Sequence, residues 1–359
     1  MPIPTISYLN EKGELASGYT PQISHEALLR GYKVMMMTRL VDDRMITLQR
    51  QGIITFAMSS LGEEACSVAS AAALSIEDWM YPQYREAGIM FWRGFTPQQY
   101  IHHMFGDRDD LMYGRQMPNH FGSRSINVVT VSSPIGTKIP HAAGCAYAIK
   151  LQKEKIVAIC YFGEGATSEG DFHAGLNFAA VRKVPTIFFC RNNGYAISTP
   201  CCRQFACEGI ASKGEGYGIE AFRVDGNDFF AVHDIVAKAR QHCVEGKGPV
   251  LIEAMTFRRG AHSTSDDPSQ YRLDDEVKQW EAKDPILRLR LYLEKQGLWD
   301  KQKEQQLINE VTESINQAIA KAKETPLPPI EMMIEHVYFE APAKLKEQLH
   351  EIKKVSLDD

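Results

Sequence analysis

A chain of 359 residues, 44% of them hydrophobic, has a formal net charge of −5 and carries no basic tract. That length can bury a large core as one α/β domain or two, the charge argues against nucleic acid as a partner, and no apolar run reaches membrane-spanning length. Residues 1–8 show neither a signal-peptide core nor an Arg-rich transit pattern, so the expectation is a bacterial cytoplasmic protein, or the processed form of a mitochondrial-matrix one.

In chain order, residues 1–25 are polar with scattered apolar positions and read as an N-terminal arm. Residues 26–51 have helical apolar spacing and many methionines; a Met stripe of this kind serves either a partner or, the preferred reading, the core. Gly62-Glu63-Glu64 leads into a small-residue helix over 65–74. Glu63 or Glu64 is either a catalytic acid or, more plainly, a helix-start carboxylate. Gln83-Tyr84-Arg85-Glu86 is a polar turn, and an Arg85–Glu86 ion pair is its simplest structural use. His120 lies in a glycine-bounded loop and is a side chain that titrates near neutrality; a functional and a structural role both stay open for it. Residues 128–131 read as a short strand, followed by Ser132-Ser133-Pro134-Ile135-Gly136-Thr137-Lys138 and a small-residue helix over 142–151.

The run 156–162 reads as a fully buried strand. It ends in Gly163-Glu164-Gly165, where glycine permits a tight turn and close backbone approach. Asp171 is placed as the N-cap of a helix over 172–181, and a second buried strand over 186–190 runs into Arg191-Asn192-Asn193-Gly194-Tyr195. Both polar clusters then fall at the carboxyl ends of parallel strands, where open α/β sheets bind ligands. The Glu164 carboxylate, the Asn193 amide oxygen and the Tyr195 backbone carbonyl are hard oxygen donors suited to Mg²⁺. Backbone N–H groups at the helix start beyond Gly165 and Ala166, with the charge of Arg191, add sites for an anion. Together they suit a metal-bridged diphosphate. A Rossmann loop is the competing reading, but Gly163-x-Gly165-x-x-Ser168 lacks its third glycine and the second strand ends without an acid for a ribose.

Further on, a strand end at 222–226, a helix over 229–244 and a strand over 249–257 continue the alternation. The last delivers Arg258-Arg259-Gly260-Ala261-His262-Ser263, a Gly/Ser/Asp-rich stretch expected to be a mobile loop carrying site residues. A charged amphipathic helix over 298–325 and a polar one over 340–356 close the chain. Cys66, Cys145, Cys160 and Cys190 lie in apolar runs and read as reduced, buried thiols. Cys201, Cys202 and Cys207 have no second cluster to complete a zinc site. The fold expected is α/β, a doubly wound parallel sheet with helices on both faces over 26–325, with the arm before it and a helical tail over 326–359.

Gly163-Glu164-Gly165, 26 intervening residues and Asn192-Asn193 resemble the signature of thiamine-diphosphate enzymes, Gly-Asp-Gly followed later by Asn-Asn, with Glu164 one methylene longer than the usual Asp. The fuller stretches 163–180 and 190–200 resemble the α subunit of the 2-oxoacid dehydrogenase E1 component, the branched-chain type above others, over about residues 32–292. The resemblance implies the thiamine-diphosphate-binding fold and oxidative decarboxylation of a 2-oxo acid, with pyruvate as the alternative substrate to branched-chain ones. It implies Mg²⁺ on Glu164, Asn193 and Tyr195. It also implies that Gln83, Tyr84, Arg85, Gly165, Ala166, Arg191 and His262 hold the diphosphate, that Ser133 and the Ile135 backbone hold the aminopyrimidine, and that His262 and Arg258 lie nearest the chemistry. The glutamate that activates the cofactor has no convincing candidate in this chain, which implies an E1 β subunit in an α₂β₂ assembly and a lipoyl domain of E2 as acyl acceptor. Some branched-chain relatives hold a monovalent cation under the serine turn; Lys138 stands where a ligand glutamine would fall, so its ammonium either replaces that cation or points to solvent.

Overall fold

Six parallel strands form the centre of the molecule in the computed structural model, which describes residues 3–355. Met1, Pro2 and residues 356–359, the outermost parts of the expected arm and tail helix, lie outside the described residues. The strands are β1 (Thr5–Ile6), β2 (Trp79–Tyr81), β3 (Ala158–Gly163), β4 (Thr186–Asn192), β7 (Glu220–Asp225) and β8 (Val250–Met255), in the order β1-β7-β8-β4-β3-β2. A separate antiparallel pair, β5 (Tyr195–Ala196) and β6 (Thr199–Pro200), follows β4. The helices are α1 (His25–Arg50), α2 (Glu64–Ala72), α3 (Ala87–Trp92), α4 (Pro97–Phe105), α5 (Lys138–Gln152), α6 (Gly170–Arg182), α7 (Lys213–Tyr217), α8 (Phe229–Val244), α9 (Asp274–Glu281), α10 (Pro285–Lys295), α11 (Lys301–Glu324) and α12 (Ala343–Val355).

Strand alternation divides the core. Ala158, Cys160 and Phe162 of β3, with Phe188 and Cys190 of β4, face α5 and α6. Ile159, Tyr161, Ile187 and Phe189 point the other way, into a larger cluster with α1, α2 and α8. A strand covered on both faces must be apolar at every position, which is why the unbroken runs at 156–162 and 186–190 lie centrally in the sheet. The expected doubly wound parallel sheet is present. In α1, Met35, Met36 and Met45 are buried in the core, so the methionine stripe packs inward.

Several local expectations change. Residues 128–131 form only isolated bridges, Val128 with Met80 and with Ser123, and no named strand. Glu169, not Asp171, is the N-cap of α6, and it makes no side-chain capping bond. The backbone N–H groups beyond Gly165 belong to a 3₁₀ turn over Glu164–Ser168, and α6 itself begins at Gly170, two residues before the expected start. The arm contributes β1, paired in parallel with β7 through Thr5–Arg223 and Ile6–Val224. Cys66, Cys160 and Cys190 are buried and Cys145 is half-buried, and all are free thiols.

All six strands run the same way, so the carboxyl ends of β2, β3, β4 and β8 share one edge of the sheet, and the loops that follow them meet there. Close helix packing supports that edge from below: a Cβ on Gly31 of α1 would lie 2.5 Å from the ring of buried Phe229 at the start of α8. Gly31→Ala is expected to destabilise by about 1–3 kcal/mol through overpacking. Gly144→Ala, on α5 with nothing within 4 Å, should be neutral or stabilising by up to about 1 kcal/mol. Urea unfolding of the two variants checks this; equal midpoints would contradict the packing described.

Candidate active site

The edge of the sheet opens into a cavity of about 330 Å³. Gln83, Tyr84 and Arg85 reach it from the turn after β2, Glu164, Gly165 and Ala166 from the end of β3, and Arg191, Asn193 and Tyr195 from β4 and its extension. Arg258 and His262 arrive after β8, and Ser133 and Ile135 from the serine turn. Each of the site residues expected from the sequence therefore lines one cavity. The sequence reading missed Phe56, Met58 and Met117 in its wall, together with Ala196 and Ile197.

At the metal end, the β3–β4 register sets Gly163 beside Arg191 and so brings Glu164 next to Asn193. The Glu164 Oε2 accepts the Asn193 backbone N–H at 3.3 Å. Its Oε1 is buried and has no hydrogen-bond partner, and burial raises the pKa of this carboxyl. An orphaned buried carboxylate oxygen is costly unless something occupies it, and a hard cation fits that vacant valence. Gly194, at φ +89, turns the chain back so that the Asn193 Oδ1 accepts the Tyr195 N–H at 3.3 Å. The glycine at 165 serves packing: a Cβ there would come within 2.7 Å of the Ala196 Cβ.

Glu63, read from the sequence as a possible catalytic acid or a helix-start carboxylate, stands at the N-cap of α2 as the second reading has it, but its side chain makes no capping bond. Its carboxylate is ion-paired to Arg191 and its Oε1 accepts from the Asn193 Nδ2 at 3.1 Å, which fixes the amide and leaves its oxygen, already accepting from the Tyr195 N–H, one lone pair for a ligand. Burial opposes the charge on Glu63, but Arg191 and Arg85 hold its pKa below the ordinary range. Glu64 instead pairs with Arg39 at 2.8 Å. Nothing local in the sequence marks Glu63, because its partner lies 128 residues away.

The anion end differs from expectation in where the charge comes from. Arg191 lines the cavity, but its guanidinium is bracketed by Glu63 and by Glu86 at 2.5 Å, so its charge is neutralised within the protein. The Arg85–Glu86 ion pair considered from the sequence is not formed: the Glu86 carboxylate accepts the backbone N–H groups of Gln83 at 2.9 Å and Arg85 at 3.1 Å. Arg85 and Arg258 are buried, and among the described residues neither has a carboxylate partner. The Arg85 Nη1 donates to the Ser59 carbonyl at 2.6 Å, and the Arg258 Nη2 donates to the Ile197 carbonyl at 2.7 Å and the Tyr271 hydroxyl at 3.0 Å. Two buried, unneutralised guanidinium groups in one cavity call for an anion. Gln83 Oε1 accepts the Gly163 N–H at 2.9 Å, leaving its amide nitrogen as the donor end.

His262 sits between the two cations, its Nδ1 3.1 Å from the Arg85 Nη2 and 3.4 Å from the Arg258 Nη1. Guanidinium groups only donate, so Nδ1 is the acceptor and Nε2 carries the proton. Burial, then the charges of Arg85 and Arg258, push this imidazole down to about 4. The loop that carries it is tied down: the Asp266 Oδ2 accepts the His262 N–H at 2.7 Å, and Arg272 donates to the carbonyls of Arg258, Arg259 and Gly260. Ser263 is half-buried, its hydroxyl 3.1 Å from that of Ser265. Lys138 borders a small space with Ser132 and Gln83 but makes no hydrogen bond or ion pair among the described residues, so the cation-replacing bonds considered for it are not formed.

Residues 32–331 match the family model of the dehydrogenase E1 component. The chain belongs to that family. The family is thiamine-diphosphate dependent, so the expectation drawn from Gly163-Glu164-Gly165 and Asn192-Asn193 is borne out, and the Rossmann reading is set aside. This E1 chain is similar to the human mitochondrial 2-oxoisovalerate dehydrogenase subunit alpha, 46% identical over 96% of this chain and 78% of that protein. It is also similar to the Caenorhabditis elegans protein of the same name, 47% identical over 92% of this chain and 77% of that one. The Arabidopsis thaliana subunit alpha 1 is 44% identical over 96% of this chain and 74% of its own length.

The neutral His262 carries a stability signature. With a folded-state pKa of about 4 against about 6.5 in the unfolded chain, the unfolded E1 chain binds more protons between those values, so stability rises with pH across that window. Thermal melts of the cofactor-free protein at pH 4.5 and pH 7 should show a smaller difference for His262→Gln than for wild type. An identical pH dependence in the variant would contradict the placement of His262 between two cations.

Proposed function

We propose that this chain is the α subunit of a thiamine-diphosphate-dependent E1 that oxidatively decarboxylates branched-chain 2-oxo acids, 3-methyl-2-oxobutanoate among them. The acyl group would pass to a lipoyl group on an E2 acyltransferase. The observation that carries the reading is the juxtaposition in one cavity of the orphaned Glu164 Oε1 with Arg85 and Arg258, in a chain whose relatives are named for 2-oxoisovalerate. Those names favour the branched-chain substrate over pyruvate.

The residues fit the cofactor. Glu164, the Asn193 amide oxygen and the Tyr195 carbonyl would hold Mg²⁺. Arg85 and Arg258, with the Gln83 amide and the His262 Nε2–H, would hold the diphosphate. Ser133 and the backbone at Ile135 face the same cavity and would take the pyrimidine end. When bound, thiamine diphosphate supplies the electron sink that decarboxylation needs. The chain's own part is to bind, to orient and to keep His262 a neutral donor.

Among the described residues that line the cavity, Glu164 is the sole carboxylate, and the metal end claims it. The acid that activates the cofactor is therefore assigned to an E1 β subunit, in an α₂β₂ assembly with the cavity at the subunit boundary.

Co-expression with the β subunit and assay of decarboxylation on 3-methyl-2-oxobutanoate and pyruvate tests the reading, with the branched substrate expected to be preferred. A preference for pyruvate would overturn the substrate assignment. Removing Mg²⁺ with EDTA should abolish activity until the metal is restored. Glu164→Ala should weaken binding of Mg²⁺–thiamine diphosphate by at least about a hundredfold, since it deletes a charged ligand; unchanged affinity by calorimetry would remove Glu164 from the metal site.

A further inference from the structure

His120 is assigned no part in the function above, yet it lines the same cavity. It is 4% exposed, and both ring nitrogens are engaged. Nδ1 lies 3.0 Å from the Pro118 carbonyl oxygen. A carbonyl only accepts, so Nδ1 carries a proton. Nε2 is in hydrogen-bond contact with the Ser133 Oγ. Among the described residues, the one competing partner of that hydroxyl is the Met117 thioether at 3.6 Å, a far weaker acceptor than an imidazole nitrogen.

The segment holds this ring in place from both sides. Asn119, in the left-handed region at φ 66, accepts the Met58 N–H at 3.0 Å and donates to the Tyr100 hydroxyl at 2.9 Å. A buried side-chain chain of this kind, Tyr100–Asn119 next to His120–Ser133, fixes geometry rather than merely filling space.

We propose that His120 is a positioning residue that sets the polarity of Ser133: by accepting the hydroxyl proton at Nε2, it makes the serine oxygen present lone pairs, not a hydrogen, to an N–H donor on the ligand in the cavity. The ligand class is an amino-bearing heteroaromatic ring. The inference rests on the reading of this cavity as the thiamine diphosphate site. The two cavity histidines then have opposite tautomers, His262 with its proton on Nε2 and His120 with its proton on Nδ1. If His120 becomes an imidazolium, Nε2 turns donor, the Ser133 oxygen must accept from it, and the hydroxyl hydrogen turns toward the cavity, which reverses the recognition. Burial, and the nearby His103 on α4, hold the His120 pKa below the ordinary imidazole range, so the neutral form prevails at neutral pH. The other charged and titratable groups lining the same cavity among the described residues are Arg85, Arg191, Arg258, Glu164, His262, Tyr84 and Tyr195.

The test is calorimetric titration of Mg²⁺–thiamine diphosphate into the assembled α–β complex. His120→Leu and Ser133→Ala should each weaken binding by about five- to tenfold, the worth of one oriented hydrogen bond, and the double variant no more than Ser133→Ala alone. His120→Gln, whose amide oxygen can take the place of Nε2, should bind within about threefold of wild type. Wild-type affinity should fall as pH drops below the imidazole range, and the fall should be smaller in His120→Gln, where only the other titrating groups of the cavity, Glu164 and His262 among them, contribute. Should His120→Leu not fold, the comparison of wild type with His120→Gln across pH decides alone. Wild-type affinity in His120→Leu, additive losses in the double variant, or matching pH profiles for wild type and His120→Gln would overturn the role of His120. Failure of the wild-type complex to bind thiamine diphosphate would instead overturn the cofactor reading beneath it.

Discussion

One buried cation organises this site. Arg191, 2% exposed at the end of β4, is clamped by Glu63 and Glu86, and each carboxylate has a second task. Glu86 gathers the backbone N–H groups of Gln83 and Arg85 and thereby shapes the turn after β2. Glu63 holds the Asn193 amide. The turn proposed to bind the anion and the amide proposed to bind the metal are thus both held through the same guanidinium. Burying such a cluster is costly, and its removal in part more so: an unpaired buried charge costs about 3–5 kcal/mol. The arrangement gains position rather than stability, which is what a cofactor site requires.

The electrostatics of the cavity follow a division between charges that are matched inside the protein and charges that are not. Arg191 is matched. Arg85 and Arg258, buried without carboxylate partners among the described residues, are not, and His262 is kept neutral by its burial and by its place between them. At the other end, Glu164 has an oxygen with no donor. A cavity with surplus positive charge on one side and an unfilled carboxylate valence on the other is complementary to a metal-bridged diphosphate, which supplies both the missing anion and the missing cation.

Much of the sheet was legible because a strand buried on both faces has no polar position to obscure it, as in β3 and β4, and α8 was read to its end residues, though its N-cap, Asp228, was not named. α4 was missed although Thr96-Pro97-Gln98-Gln99 forms a capping box with proline in the first turn; its histidines and glutamines hide the apolar stripe. The strand expected over 128–131 failed because apolar character alone does not supply a partner, and these residues bridge to Met80 and Ser123 without a ladder. The site residues were legible where a motif names them, at Glu164, Asn193 and Gln83-Tyr84-Arg85. Glu63 and the neutralisation of Arg191 were not, since both depend on pairs more than 100 residues apart, and no local spacing encodes them.

The central claim is that Arg191, through Glu63, holds a metal ligand it does not itself touch. Glu63 is absent from the cavity wall, so it influences ligand binding without touching the ligand, by holding Asn193 and Arg191 and through its charge on Arg85 and Glu164. The most direct measurement is the affinity of the α–β complex of Glu63→Gln for Mg²⁺–thiamine diphosphate by calorimetry, with circular dichroism to establish that the fold is retained. The account predicts a folded complex whose affinity is at least about tenfold weaker, because the amide of Asn193 loses its charged acceptor and Arg191 half of its neutralisation. A folded variant with wild-type affinity would contradict it.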